Sequence, residues 1–150
     1  MEPIQIFDTT LRDGTQGENI SFTNEEKLRI AQKLDKTGIH YIECGWPGSN
    51  PATMEFFKLA LKESFETSII TAFGATRKQG ITAGEDSNLK ALIECGAPAI
   101  TLFGKTWDLH IEEIMSNTLS ENLDMIYESV AYIKKHDREV LYNAEHFFDG

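Results

Sequence analysis

The sequence predicts an α/β protein with a parallel sheet, on three observations. Short apolar runs alternate with amphipathic segments of helical period four times before a fifth apolar run, which is the pattern of strands joined by crossover helices. The apolar runs end in polar or charged residues, so the strand exits gather at one end of the sheet, where such folds place their chemistry. No apolar run enters a glycine-rich dinucleotide turn. Two architectures accommodate this order, an open doubly wound sheet and an eight-stranded barrel. A complete barrel takes about 250 residues, so on the barrel reading these 150 residues hold its N-terminal half, about five strands and four main helices.

The elements follow in order. Ile4 to Phe7 is an apolar run that ends abruptly in charge and reads as the first strand. Thr23 lies three residues before Glu26, the spacing of a capping box. Leu28, Ile30, Ala31 and Leu34 then form a helical stripe that Gly38 stops. Ile39 to Cys44 is the second strand, closing on Glu43 before the turn Gly45 to Asn50. Asn50-Pro51 pairs an N-cap with a first-turn proline, and Met54, Phe57 and Leu61 give that helix its apolar face. Ser68 to Phe73 is the third strand, ended by Gly74, with Thr76, Arg77 and Lys78 at its exit. Glu85 to Glu94 is a helix with Leu89, Leu92 and Ile93 inward and Gly96 as its stop. Pro98 to Phe103 is the fourth strand. Trp107 to Met115 reads as a short extra helix. Thr118 and Glu121 repeat the capping-box spacing, and Leu123, Ile126, Tyr127, Val130 and Ile133 form the stripe of the last helix. Glu139 to Tyr142 begins the fifth strand, with Asn143 to His146 near its exit.

Net charge is −10, from 14 basic and 24 acidic residues, which argues against nucleic acid as a generic partner. Two cysteines, Cys44 and Cys95, make no disulfide framework and read as buried thiols. No apolar run approaches membrane-spanning length and no secretory leader is visible, so no membrane partner and a cytoplasmic location are expected.

The residues that offer chemistry lie at strand exits. Arg12 and Asp13 stand side by side, followed by Gly14. A carboxylate holds a divalent cation, and a guanidinium presents a fixed fork of donors to a carboxylate or an oxyanion. Asp13 serves equally as a turn residue, and Arg12 as the partner of Glu43 or Glu145. None of His40, His110, His136 and His146 is spaced as a ligand pair. His40 and His136 read as structural and solvent-facing, whereas His110 follows the fourth strand on the site side. Gly104-Lys105-Thr106 ends like a phosphate loop but lacks the upstream glycine, and Lys105 is expected in solvent. Trp46, Trp107, Phe147 and Phe148 line a pocket or close the core.

The stretch Asp8-Thr9-Thr10-Leu11-Arg12-Asp13-Gly14-Thr15-Gln16 resembles the signature of the barrel superfamily of metal-dependent lyases and Claisen-condensing synthases. That superfamily includes isopropylmalate, homocitrate and citramalate synthases, hydroxymethylglutaryl-CoA lyase and the carboxyltransferase domain of pyruvate carboxylases. The resemblance continues through residues 42–49, 102–110 and 142–150, and its wording is most similar to the long citramalate synthase branch. It implies a TIM (β/α)8 barrel, of which residues 1–150 are the N-terminal part of a pyruvate carboxyltransferase-like catalytic domain. The remaining strands, a His-x-His ligand pair and a regulatory domain are expected beyond them. By resemblance, Arg12 binds and polarises a keto acid, Glu43 braces that arginine, and Glu145 is an acidic residue of the active centre. Asp13 ligates a divalent metal (Mg2+, Mn2+ or Zn2+), and Gln16, Phe73, Phe103 and Asn143 line the substrate pocket. The implied reaction is condensation of acetyl-CoA with a 2-keto acid, pyruvate first, by a homodimeric or otherwise self-associating enzyme. The alternatives are an isopropylmalate or homocitrate synthase, an aldol-type lyase, and a non-catalytic binding module or inactive piece.

Overall fold

A computed structural model describes residues 4–149. Five parallel strands lie in the order of the sequence, β1 (Phe7–Asp8), β2 (Tyr41–Gly45), β3 (Ile69–Ala75), β4 (Ala99–Lys105) and β5 (Glu139–Glu145). A doubly wound sheet reverses its strand order at a switch point. Here every strand pairs with its chain neighbours and no reversal occurs, the order of a barrel wall. Four helices connect the strands: α1 (Asn24–Lys36), α2 (Pro51–Ala60), α3 (Ser87–Glu94) and α4 (Leu119–Lys135). None of the described helices is long and apolar enough to cross a membrane.

Strand alternation divides the sheet into two chemically distinct faces. Ile42, Cys44, Ile70, Ala72, Ile100 and Leu102 are buried in one apolar core with Phe56, Phe57, Leu89, Leu92 and Ile133 of the helices. The intervening residues, Glu43, Thr71, Phe73, Thr101 and Phe103, form the opposite face. Pairing sets Glu43 beside Thr71, Phe73 beside Thr101, and Phe103 beside Asn143. Both thiols are buried; burial pushes the Cys44 thiol far above its usual range and the Cys95 thiol up to about 11, so neither acts as a nucleophile near neutral pH.

Several boundaries depart from the sequence reading. The first strand pairs only over Phe7–Asp8, and Ile4 and Ile6 are exposed. Gly74 lies inside β3, paired with Leu102, and is glycine because a Cβ there would meet the Leu92 Cδ1 atom at 2.8 Å. Gly104 lies inside β4, beneath the Tyr142 ring. β5 runs on through Glu145, bringing Asn143 and Glu145 into the strand. Thr23 and Glu26 close a complete capping box, whereas Thr118 caps α4 alone because the Glu121 carboxylate is drawn to Arg77. Of the stripe expected on α4, Ile133 is buried and Val130 packs against the core, but the first half of the helix turns a different face inward. Asn122, Met125, Ser129 and Ile133 are buried, while Leu123 and Tyr127 are exposed. The expected helix after Trp107 is a π-helical turn, His110–Ile114.

Candidate active site

The site begins with a tight turn after β1. The backbone N–H groups of Arg12, Asp13 and Gly14 all donate to the Thr9 carbonyl, and the Asp8 carboxylate accepts from the Thr10 N–H and hydroxyl. Leu11 is wholly buried and pins the turn to the core, which sends the neighbouring Arg12 across the polar face of the sheet. The Arg12 Nε donates to the Glu43 Oε1 at 2.5 Å, and one terminal nitrogen donates to the Asp13 Oδ1 at 2.9 Å. The guanidinium carbon stands 4.0 Å above the Phe73 ring centroid, a cation–π contact that also fixes the plane of the fork.

Glu43 is 1% exposed. Burial raises its pKa, and the hydrogen bond and charge of Arg12 oppose that rise without cancelling it. Phe73 and Phe103 stack at 4.8 Å with 12° between their planes. The result is one guanidinium, braced by an aromatic shelf, and one buried carboxylate facing a cavity of about 340 Å³. Its lining includes Phe7, Arg12, Glu43, Thr101, Leu141 and Asn143. A cavity of this size holds a small carboxylic acid.

Other candidates are placed differently. Gln16 is exposed and lines a separate cavity on the far side of Arg12, shared with Phe73 and Trp46. Phe103 lines a third cavity, with Arg77 and Lys105. Of the four expected pocket residues, Asn143 is the one that shares the Arg12–Glu43 cavity. Glu145 forms an ion pair with Lys105, its direct neighbour across the β4–β5 ladder, and neither lines that cavity. Lys105 is therefore paired rather than free in solvent. His110 and His146, unrelated by spacing, meet with ring centroids 4.5 Å apart beside Trp107.

Asp13 has a side chain 60% exposed and tied to Arg12. Among the described residues no group of three or more His, Cys, Asp or Glu side chains converges. Asp13 thus stands outside any such group among the described residues.

Thr101, Leu141 and Asn88, which hydrogen-bonds Trp46, went unnoticed in the sequence. The signal for Thr101 and Leu141 is register, since they are directly paired across β4 and β5. Asn88 carries no such signal: it sits on α3, outside every strand exit.

The family model described as HMGL-like matches residues 3–149. The chain belongs to the HMGL-like family. It is 53% identical to an (R)-citramalate synthase from Geobacter sulfurreducens over 100% of this chain and 28% of that protein. It is 36% identical to a 2-isopropylmalate synthase from Sulfolobus acidocaldarius over 95% of this chain and 35% of that protein. The HMGL-like chain thus spans about a third or less of the length of these relatives. Among solved structures, an HMG-CoA lyase from Bacillus subtilis superposes with a TM-score of 0.67 at 20% identity, covering 93% of this chain and 45% of that one. At that identity the likeness speaks for the fold: the five strands and their helices are the N-terminal half-barrel of this superfamily.

Proposed function

We propose that these residues are the N-terminal part of the catalytic barrel of a citramalate synthase-type acyltransferase, which condenses acetyl-CoA with pyruvate. The observation that carries this reading is a gap in identity. The five (R)-citramalate synthases compared are 46–53% identical over 97–100% of this chain. The isopropylmalate and homocitrate synthases are at 35–36%.

The geometry supports the chemistry. Arg12 is held on one edge by Glu43, at one terminal nitrogen by Asp13 and on one face by Phe73, and it lines the cavity with donors of its fork still unpaired among the described residues. Those donors meet the carboxylate and keto oxygen of a 2-keto acid. A base takes a proton from the acetyl-CoA methyl group, and as that carbon attacks the keto carbon a carbon–carbon bond forms and the carbonyl π pair moves onto oxygen, which then takes up a proton. Arg12 stabilises that alkoxide, a preorganised donor aimed at developing charge. The buried Glu43 carboxylate keeps the fork from turning away. The Asn143 side chain supplies an amide to the same cavity. Water then cleaves the thioester, releasing the CoA thiol. A divalent cation (Mg2+, Mn2+ or Zn2+) would add Lewis-acid polarisation of the keto acid, with Asp13 as the ligand these residues contribute. Glu145 is paired with Lys105 outside the cavity lining, and self-association is expected of the whole enzyme.

The test is thiol release by the full-length enzyme with acetyl-CoA and, in turn, pyruvate, 2-ketoisovalerate and 2-ketoglutarate. Release fastest with pyruvate supports the reading. Release fastest with 2-ketoisovalerate reassigns the enzyme to isopropylmalate synthesis, and no release with any of the three refutes the synthase assignment.

A further inference from the structure

We infer that Trp46, tethered by Asn88, is a positioning residue that sets the orientation of the Arg12 fork and with it the affinity for the keto acid; the inference rests on the function proposed above. The Arg12–Glu43 bond fixes one edge of the guanidinium, and Asp13, whose side chain is exposed, holds one terminal nitrogen. The buried restraint on the tilt of the plane is the Phe73 ring below it at 4.0 Å. Phe73 is in turn held flat by Phe103, and Trp46 meets both rings edge-on, at 6.0 Å and 82° to Phe73 and at 5.5 Å and 80° to Phe103. One indole therefore wedges the whole aromatic shelf.

The indole is itself held. Its Nε1 donates to the Asn88 Oδ1, and the Asn88 Nδ2 donates to the Ala75 carbonyl at 2.8 Å. Asn88 thus ties the β2–α2 loop, the end of β3 and the first turn of α3 together through one amide. Its backbone is anchored by the N-cap Asp86, whose Oδ1 accepts from the Asn88 and Leu89 N–H groups. The space around the tether is reserved for it. A Cβ at Gly48 or at Gly74 would lie 3.1 Å from the Asn88 Oδ1, tighter than ordinary van der Waals contact. Both neighbours of this hydrogen bond are glycines, and the chain carries no larger residue there.

Neither Trp46 nor Asn88 lines the Arg12–Glu43 cavity. Both act through Phe73 and Arg12, so their loss weakens keto-acid binding and leaves the thioester partner alone. The full-length enzyme is compared with Asn88→Ala, Trp46→Phe and the double variant. A misplaced fork is expected to lower kcat/KM for pyruvate about tenfold in each single variant, through KM more than kcat, with KM for acetyl-CoA within about twofold of wild type. The double variant should be no worse than the poorer single, because both substitutions break one tether. Pyruvate binding alone, without acetyl-CoA, is read by calorimetry on the full-length enzyme, with and without Asn88→Ala.

Unchanged pyruvate constants in Trp46→Phe, or equal losses for pyruvate and acetyl-CoA, overturn the inference; if Asn88→Ala does not fold, Trp46→Phe decides it. A wild-type enzyme that neither binds nor turns over a keto acid removes the proposed function, and the inference falls with it. A wild type that does both while the variants match it leaves the proposed function standing and refutes the tether alone.

Discussion

Replacing Arg12 by leucine should cost more stability than replacing Glu43 by glutamine, and the excess should depend on pH. Arg12→Leu strands a carboxylate that is 1% exposed. Leaving one member of a buried pair uncompensated costs about 3 kcal/mol. Glu43→Gln is milder, about 1 kcal/mol, because a partly exposed guanidinium retains a carboxylate and an aromatic face. Here those are Asp13 and Phe73. Burial already lifts the Glu43 pKa above its ordinary 4.5 despite Arg12, and without Arg12 it rises further. In the window between the unfolded and folded values the native state binds more protons than the unfolded state. The stability is therefore fully present below 4.5 and is lost as pH rises through the raised folded pKa. The Arg12→Leu deficit should be largest near pH 8 and shrink by about 1 kcal/mol or more toward pH 5. Urea unfolding of wild type, both singles and the double variant at the two pH values measures it, with a coupling of about 2 kcal/mol expected at the higher pH. A deficit identical at both pH values, or equal in the two single variants, would refute the reasoning.

Other expectations are local. Asp35 accepts from the N–H groups of Glu66, Thr67 and Ser68, so Asp35→Ala should cost about 2 kcal/mol by leaving donors unpaired, read by thermal melting. Burial works to raise the Asp35 pKa and the three donors outweigh it, so it is lowered from 3.8. The wild-type advantage is present above that value and disappears as pH falls through the lowered pKa; an advantage that persists in strong acid would contradict the assignment. The Ser129 hydroxyl accepts from the buried Arg77 N–H and donates to the Met125 carbonyl, so Ser129→Ala should lower stability by about 1–2 kcal/mol in denaturant titration. Leu123→Gln, at a position 65% exposed, should change the stability of this chain by no more than about 0.5 kcal/mol; a core-sized loss would restore the helix face read from the sequence.

The caps were legible in the sequence because they are local. Thr23 and Glu26 satisfy each other across one turn, and Asn50-Pro51 opens α2 with both signals side by side. Where a distant partner competes, the local rule fails: Thr118 keeps its half of the box, but Glu121 bonds to the Arg77 guanidinium 44 residues away. The stripe of α4 holds at Val130 and Ile133 and fails at Leu123 and Tyr127 for a related reason. Its buried line includes two polar residues with specific partners, Asn122 donating to the Lys105 carbonyl and Ser129 serving Arg77. A hydrophobicity pattern cannot rank those above Leu123 and Tyr127. The strand ends were misread at Gly74 and Gly104, where the missing side chain makes room for a neighbour rather than a turn.

For the site, the sequence displayed residue types at strand exits but not their adjacency, which is a property of register. Register in this sheet is set from the other face. Ile42 is paired beside Ile70, and Ala72 beside Ile100, because those side chains must all reach the core beneath α2, α3 and α4. A slip of one residue would turn an isoleucine outward and a glutamate inward, which the burial of either forbids. Once the apolar face is locked, the polar face follows without further choice. Glu43 falls beside Thr71, Phe73 beside Thr101, Phe103 beside Asn143, and Lys105 beside Glu145. The pairing of Lys105 with Glu145 and the shelf beneath Arg12 are therefore consequences of core packing. Arg12 itself escapes this logic, since it stands on a turn. It is brought to Glu43 because the adjacent Leu11 is buried completely, so the same apolar core that aligns the strands also delivers the guanidinium.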